Sequence, residues 1–406
     1  MEIFPATAVL GLALLAAATA GARGFEEDLA FLRRHVNVLL LQDGRTGARV
    51  VVVPAWQGRV MTSATGDGAA RGYGWINEEL IASRQLRPHI NAFGGEDRLW
   101  LGPEGGQFSI FFRKGDPFDL DHWQTPPLFD TEPWAVVEKD ARRVALRHRG
   151  RLVNYTGTPL DAQIDRTVRL LDREAAAAAL GGPVPEAVRL VAFASENTLT
   201  NAGPAAWARS SGLLSLWILG MFQPSPTTTI VVPYREGKEA ERGKVVNDAY
   251  FGKVPADRLV AGEGVLFFSG DGRHRSKIGL SPRRARPLLG SYDAERGVLT
   301  IVSFDRPEGA TEYVNSMWEI QKEPFAGDVV NSYNDGPPSP GAKPMGPFYE
   351  LETSSPAAAL APGASLTHVH RTFHLEGGPS ELDALARRLL GVGLERIRTA
   401  LPPGAR

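Results

Sequence analysis

Apolar and polar residues alternate over short distances through most of this chain, in runs of strand length that end at Gly, Pro, Asp or Asn. Typical runs are VNVLLLQD, ARVVVVPAW, QFSIFFR, RVALRHRG and VRLVAFASENTL. Alternation with a period of two is typical of a strand with one buried face, and turn signals at such short intervals favour a large antiparallel sandwich or barrel. The pattern therefore predicts an all-β fold.

Helical periodicity is confined to the two ends of this β-rich region. Residues 25–35 (FEEDLAFLRRH) place apolar side chains three and four positions apart, and residues 379–401 (PSELDALARRLLGVGLERIRTAL) do the same with leucines. Strand patterns continue in one style between them, without a repeat of fixed period. We therefore expect a single domain over residues 25–406, with short flanking helices and a C-terminal helix at about 379–401.

The first 24 residues follow a different pattern. The apolar run TAVLGLALLAAATAGARG has the length of a signal-peptide core and ends in small residues suited to cleavage. The preceding MEIFPA contains no Lys or Arg, so a membrane anchor or a buried helix stays an alternative. The run predicts a signal peptide over residues 1–24 and a periplasmic or secreted protein, with no stable membrane insertion after the leader is removed.

Charge and cysteine content exclude several classes of function. The chain has 45 Lys and Arg residues against 46 Asp and Glu residues, so it has no basic field to attract phosphate backbones, and nucleic acid is not an expected partner. It contains no cysteine, which excludes disulfides, thiolate metal sites and thiol nucleophiles. With 43% hydrophobic residues, the chain can bury a large core.

Polar and aromatic residues gather in two N-terminal loop segments that are candidates for a binding site. In HINAFGGEDRLWLGPEGGQFSIFF (residues 89–112), two Gly-Gly pairs let the backbone approach a ligand closely. The second segment, DHWQTPP (residues 121–127), ends in two rigid prolines. The alternative is that both are hairpin turns and surface loops without a function. The candidate residues in these segments are Glu96, Arg98, Trp100, Glu104, Gln107, His122 and Trp123.

A third segment, YVNSMWEIQKEPFAGDVVNSYNDGP (residues 313–337), mixes amides, carboxylates and aromatic rings. Amides and carboxylates hydrogen-bond hydroxyl groups, and an aromatic ring covers the apolar face of a sugar, so this mixture suits a polyol ligand. Alternation in WEIQ predicts a strand with Glu319 and Gln321 on one face. Turn residues beside an edge strand are the alternative. The candidate residues are Trp318, Glu319, Gln321, Asn331, Tyr333 and Asp335.

A fourth segment, FYELETSSPAAALAPGASLTHVHRTFHL (residues 348–375), holds two carboxylates close to three histidines. Alternation places Glu350 and Glu352 on one face of a strand, and His368, His370 and His374 on one face of another. A His-x-His pair can share a metal, but a stable site needs further ligands, and we predict none here. Glu352 could act as a general base if a pocket holds it beside a hydroxyl group.

Three of these stretches resemble aldose 1-epimerases, in the galactose mutarotase-like superfamily. They are LETSSPAAALAPGASLTHVHRTFHL, LLLQDGRTGARVVVVPAWQGRVMTSA (residues 39–64) and NAFGGEDRLWLGPEGGQ, and the resemblance spans residues 37–375. It implies a β-supersandwich of large antiparallel sheets with the ligand on a concave face. It also implies that Glu352 is the catalytic base that removes the anomeric hydroxyl proton, and that Arg98 contacts the sugar. The overall texture resembles most a bacterial family of standalone proteins with this fold and no assigned activity.

The chain departs from that family at the catalytic acid. A histidine is expected after the NTLTNAG segment (residues 197–203), where this chain reads SLWILGMFQ, with Trp217 near the expected position. We therefore expect a carbohydrate ligand and an isomerase-like or other glycan-directed activity based on Glu352, without a cofactor. Two alternatives stay open: a glycan-binding protein that has lost the catalytic acid, and a metal-assisted glycan hydrolase or lyase that uses histidines with carboxylates.

Overall fold

The computed structural model describes residues 24–66 and 70–402. Residues 1–23 of the predicted signal peptide lie outside this range. The described part is built mainly of strands, which confirms the predicted all-β class. The strands are β1 (Leu39–Gln42), β2 (Arg49–Val53), β3 (Arg59–Ala64), β4 (Arg98–Gly102), β5 (Ala135–Lys139), β6 (Arg143–Val153), β7 (Pro159–Leu171), β8 (Arg189–Asn201), β9 (Ser215–Phe222), β10 (Thr228–Pro233), β11 (Leu259–Ala261), β12 (Val265–Ser269), β13 (Ser276–Leu280), β14 (Leu288–Asp293), β15 (Val298–Phe304), β16 (Val330–Asn334), β17 (Tyr349–Ser354) and β18 (Ser365–Glu376).

The strands form three antiparallel sheets. The largest has ten strands in the order β11-β12-β10-β14-β15-β18-β8-β7-β6-β5, and a second has five in the order β13-β16-β17-β9-β4. A three-stranded sheet, β1-β2-β3, touches the second one through a bridge between Val60 and Asp97. Large antiparallel sheets were expected, and they contain most of the regular secondary structure of the described chain.

Alternation along the strands explains how the sheets stack. In β10, Ile230 and Val232 pack toward the five-stranded sheet, whereas Val231 between them packs toward the helices on the other side. The strand β7 alternates buried with more exposed side chains along most of its length, as expected for a sheet with one solvated face. By contrast, β9, β13 and β16 are buried throughout, so both faces of the five-stranded sheet are covered.

Short helices cover the outer surfaces of the sheets. The described helices are α1 (Phe25–His35), α2 (Glu78–Ser83), α3 (Arg173–Ala179), α4 (Glu239–Arg242), α5 (Pro379–Leu390) and α6 (Leu394–Thr399), with 3-10 turns at Pro54–Trp56 and Pro127–Phe129. Helix α1 packs its apolar face on the three-stranded sheet, and α5 and α6 pack on the ten-stranded sheet. In the described ranges no helix has both the length and the apolar character needed to cross a membrane.

Three local predictions differ from the structure. The predicted helix over residues 379–401 is interrupted between α5 and α6, because Gly391 ends α5 in the left-handed conformation at φ 76°. The predicted strand QFSIFFR is a loop in which Phe111 and Phe112 are buried in the core, so its apolar residues pack without pairing to a neighbouring strand. The predicted strand around Trp318 is likewise a loop.

Candidate functional site

Strand register in the five-stranded sheet determines which side chains share its outer face. Lys277 on β13 lies opposite Tyr333 on β16, which lies opposite Glu350 on β17, which in turn lies opposite Met221 on β9. Directly opposed residues point to the same face of a sheet. The next row along the same face is Asn331, Glu352, Leu219 and Arg98, and Trp217 opposes Trp100 beyond it.

A cavity of about 380 Å³ lies over this face. Four indole rings line it: Trp100 and Trp217 from the sheet, and Trp123 and Trp318 from covering loops. The centroids of Trp100 and Trp217 are 5.6 Å apart in an edge-to-face arrangement, and those of Trp123 and Trp318 are 6.0 Å apart. The walls are therefore rigid and largely aromatic, which is typical of small-molecule sites that have a few polar groups in fixed places.

An ion pair crosses the floor of the cavity. The Arg98 guanidinium donates to Glu350 Oε1 at 2.8 Å, and its carbon lies 4.2 Å from the centre of the Trp100 ring. Both charged side chains are at most 7% exposed. Burial raises the pKa of Glu350 to about 7, with Arg98 opposing the shift and the neighbouring Glu352 carboxylate adding to it. A carboxyl group that titrates near neutral pH can both accept and donate a proton there.

The predicted base, Glu352, lies deeper than Glu350. Its side chain is fully buried, and its Oε2 accepts from Lys277 Nζ and from Trp217 Nε1, each at 2.9 Å. The Lys277 ammonium lies 4.6 Å from the centre of the Trp217 ring. Trp217, which stands near the expected position of the family's histidine, therefore holds the glutamate by a hydrogen bond. Two donors on one oxygen fix the orientation of this carboxyl group.

Besides the exposed Asp121, two further carboxyl groups line the cavity. Burial raises the pKa of Glu104, with nearby Lys277 opposing the shift, and burial raises that of Asp335 to about 6. Asp335 accepts from the Tyr333 hydroxyl at 2.8 Å and from the Gly346 amide at 2.9 Å. Its orientation is fixed by these two donors, whereas Glu104 enters from the loop that follows β4.

The structure brings about half of the predicted site residues to the cavity. Residues predicted from sequence that line it are Arg98, Trp100, Glu104, Trp123, Trp318, Tyr333 and Asp335. Residues that sequence reasoning did not assign to the site but that line it include Arg275, Lys277, Met221, Phe251, Phe348 and Glu350. Lys277 and Glu350 carried a readable signal, since each alternates with another charged residue two positions away on a strand. The loop residue Phe251 carried none.

The other predicted residues lie elsewhere. Gln107 and Gln321 join two loops, with Gln107 Nε2 donating to the Gln321 carbonyl at 2.9 Å. His122 is exposed and pairs with Asp119 at 2.6 Å, Glu319 is exposed on its loop, and Asn331 Nδ2 donates to the Tyr250 hydroxyl at 3.2 Å.

Glu96 also lies away from the cavity, buried between the sheets. Its Oε2 accepts from Ser63 Oγ at 2.8 Å and lies 2.8 Å from His374 Nε2. The backbone carbonyl oxygen of Glu96 would clash with a Cβ atom at Gly220. This segment therefore packs directly against β9.

The three histidines of β18 face the space between the two large sheets. Thr353 Oγ1 lies 2.8 Å from His368 Nε2 and 2.9 Å from His370 Nδ1, and His374 Nδ1 lies 2.9 Å from Thr300 Oγ1. Within residues 24–66 and 70–402, no three His, Asp or Glu side chains converge in a way that could hold a metal ion. The metal-assisted alternative therefore has no donor set in the described part of the chain.

Burial lowers the pKa of His368 to about 3 and that of His370 to about 4. On unfolding, both rings enter water, where the ordinary value is about 6.5. Their contribution to stability is therefore fully present above about pH 6.5 and is lost as the pH falls through that value toward 4, because the unfolded state then binds protons that the folded state does not.

Histidine-selective nitrogen NMR of the folded protein at about pH 5 tests this directly. We expect neutral rings for His368 and His370, and a protonated ring for the control residue His122, since its hydrogen bond to Asp119 raises the pKa of His122. Protonated signals for the two buried rings in the folded protein would contradict the packing of β18 described above.

Comparison with known proteins places the chain in one family. Among curated proteins, none matches this chain. Similar solved structures include the Slr1438 protein from Synechocystis sp. PCC 6803 (13% identity, TM-score 0.48, covering 84% of this chain and 96% of that one). They also include a galactose mutarotase-like protein from Lactobacillus casei ATCC 334 (10% identity, TM-score 0.46, covering 83% of this chain and 100% of that one). A third is a galactose mutarotase related enzyme from Lactobacillus acidophilus (8% identity, TM-score 0.45, covering 83% of this chain and 97% of that one).

Two of these proteins carry the name of the superfamily that the sequence resembles. All three TM-scores lie below 0.5, so these similarities assign no function to this chain. Over residues 23–401, the chain belongs to the family of unknown function DUF6786.

Proposed function

We propose that this protein binds a sugar or oligosaccharide in the cavity over the five-stranded sheet. The observation that carries the proposal is the combination of four indole rings with paired, buried charges around one space of about 380 Å³. Aromatic faces cover the apolar C–H side of a sugar ring, while carboxylates and cations exchange hydrogen bonds with its hydroxyl groups. The volume falls in the range of about 300–1,000 Å³ that is usual for small-molecule sites.

The cavity also holds the groups needed for proton exchange at an anomeric centre. In this proposal, Glu350 accepts the anomeric hydroxyl proton while the bond between the anomeric carbon and the ring oxygen breaks. The ring oxygen then takes a proton from Glu104, a second carboxyl group in the cavity whose pKa burial raises. Rotation of the open aldehyde and the reverse transfers close the other anomer, so protons and electrons balance over the cycle.

We assign the role of base to Glu350 and not to Glu352 for a geometric reason. Glu350 lines the cavity, whereas Glu352 is fully buried and held by Lys277 and Trp217. A base must lie within hydrogen-bond reach of the proton that it removes. In this proposal Glu352 is a positioning residue that fixes the Lys277 ammonium beside the cavity.

A purely binding function is the second candidate. It is favoured by Trp217, whose indole donates to Glu352 near the position at which the resembling family is expected to carry its acid histidine. In that case the cavity would bind a glycan without converting it. Sugar binding is common to both candidates, and only turnover separates them.

Titration calorimetry with a panel of mono- and oligosaccharides tests the binding step, and Trp318→Ala is the variant of choice. Trp318 is half-buried on a loop and lies edge-on to Phe112, so its removal leaves the sheet intact. We expect the affinity to fall by about tenfold or more, since an apolar face of the sugar loses its cover.

The matched control is Trp56→Ala. Trp56 is also half-buried and stacks on Phe93, with ring centroids 4.3 Å apart, but it lies outside the cavity. Its loss should leave sugar affinity unchanged. Equal effects of both substitutions, or no effect of Trp318→Ala on a sugar that does bind, would place the sugar elsewhere.

A further inference from the structure

Arg275 is the cavity cation whose charge is least compensated. It directly precedes β13 and alternates with Lys277, so both side chains reach the cavity from one edge of the sheet. Its guanidinium carbon lies 3.8 Å from the centre of the Phe251 ring. Stacking on an aromatic face fixes the plane of a guanidinium and leaves its edge free to donate.

The other cations that line the cavity each have a carboxylate partner. Arg98 donates to Glu350 at 2.8 Å and Lys277 to Glu352 at 2.9 Å, and Lys343 pairs with Glu79 at 2.8 Å at the rim. These three partners are the glutamates Glu350, Glu352 and Glu79.

No carboxylate in the described ranges lies within ion-pair distance of Arg275. Its guanidinium bonds to the Tyr333 hydroxyl, and Asp335 and Glu104 act on it only through longer-range electrostatic attraction. The Tyr333 hydroxyl in turn donates a hydrogen bond to Asp335 Oδ1, and the Gly346 amide donates one to Asp335 Oδ2. Each oxygen of Asp335 therefore already accepts a hydrogen bond from a neutral donor. A planar guanidinium held over a ring, half-buried and without an anion, is a site for a bidentate acceptor.

We propose that the sugar bound in this cavity carries an anionic group, a carboxylate or a phosphate, and that Arg275 binds that group. This inference rests on the proposed function, because it names the class of sugar that the same cavity takes. The anion lies at the Phe251 and Tyr333 end, and the sugar ring extends from there toward the indole walls. A neutral sugar would leave the guanidinium without a partner as water is displaced.

The test compares calorimetric affinities of wild type and Arg275→Gln for glucose, galactose, glucuronate, galacturonate and glucose 6-phosphate. We expect at least one anionic sugar to bind wild type about tenfold or more tightly than its neutral parent, in line with a charge-assisted hydrogen bond. Arg275→Gln should remove that difference and leave the neutral sugar unaffected. The uronates and the phosphate distinguish the two anionic groups.

Arg273→Gln is the control, because Arg273 is exposed and lies outside the cavity. It should keep the wild-type preference. If neutral and anionic sugars bind equally, or if Arg275→Gln keeps the preference, the inference is overturned while the proposed function stands. If no sugar of either kind binds, the proposed function fails as well.

Discussion

Replacing Lys277 by methionine is expected to lower the free energy of unfolding by about 3–5 kcal/mol, because it leaves a buried carboxylate without its cation. Glu352 is fully buried and Lys277 is 8% exposed, and their charged atoms are 2.9 Å apart. Trp217 Nε1 would be the remaining donor to Glu352 Oε2. Denaturant unfolding, followed by circular dichroism, measures the change.

Two further variants make this result specific. Lys343→Met removes a cation from an ion pair of similar length, 2.8 Å, but Lys343 and Glu79 are 78% and 69% exposed, so no measurable change is expected. Adding Glu352→Gln to Lys277→Met removes the unpaired charge and should recover much of the stability. A double variant as unstable as Lys277→Met alone would show that Lys277 stabilises the fold by packing and not by its charge.

Replacing Glu350 by glutamine is expected to slow anomer interconversion by about 100-fold or more, since a positioned acid or base contributes at least that much. Polarimetry of freshly dissolved sugar measures the rate. The acid limb of the wild-type pH–rate profile should have its midpoint near 7, because burial raises the pKa of Glu350 to about 7 and only the ionised group can accept the proton. The slower variant should lose this midpoint.

Glu312→Gln provides the control for that experiment, because Glu312 is exposed and pairs with Arg209 outside the cavity. It should retain the wild-type rate and midpoint. If wild type binds sugar but does not accelerate interconversion, the binding alternative favoured by Trp217 is correct. If Glu350→Gln is as fast as wild type, the base is another group.

Local sequence pattern predicted the parts of the site that depend on alternation. Glu350 and Glu352 lie on one strand and one face, as predicted, because a period of two is a property of the extended backbone alone. Two further features decide which of these two glutamates lines the cavity. They are the pairing of β17 with β9 and β16 and the hydrogen bond from Lys277 to Glu352. Those contacts join residues far apart in the sequence, which a local pattern does not encode.

Loops were the least predictable part of the site. The alternation around Trp318 is that of a strand, yet the segment is a loop that covers the cavity. Its bend is held by Gln321 Nε2, which donates to the carbonyls of Asn315 and Met317. A side chain that satisfies the backbone groups of its own segment replaces the pairing that a strand requires. Composition pointed to this segment, and Trp318 and Tyr333 of it line the cavity, although the predicted strand around Trp318 was wrong.

A crystal structure of the protein in complex with the tightest-binding sugar of the calorimetric panel would show whether the cavity is the sugar site. We expect a sugar ring in the cavity over the five-stranded sheet, with one face against Trp318 and its hydroxyl groups within hydrogen-bond distance of Glu350 and Arg98. A bound sugar at any other surface, with this cavity empty, would contradict the proposed function.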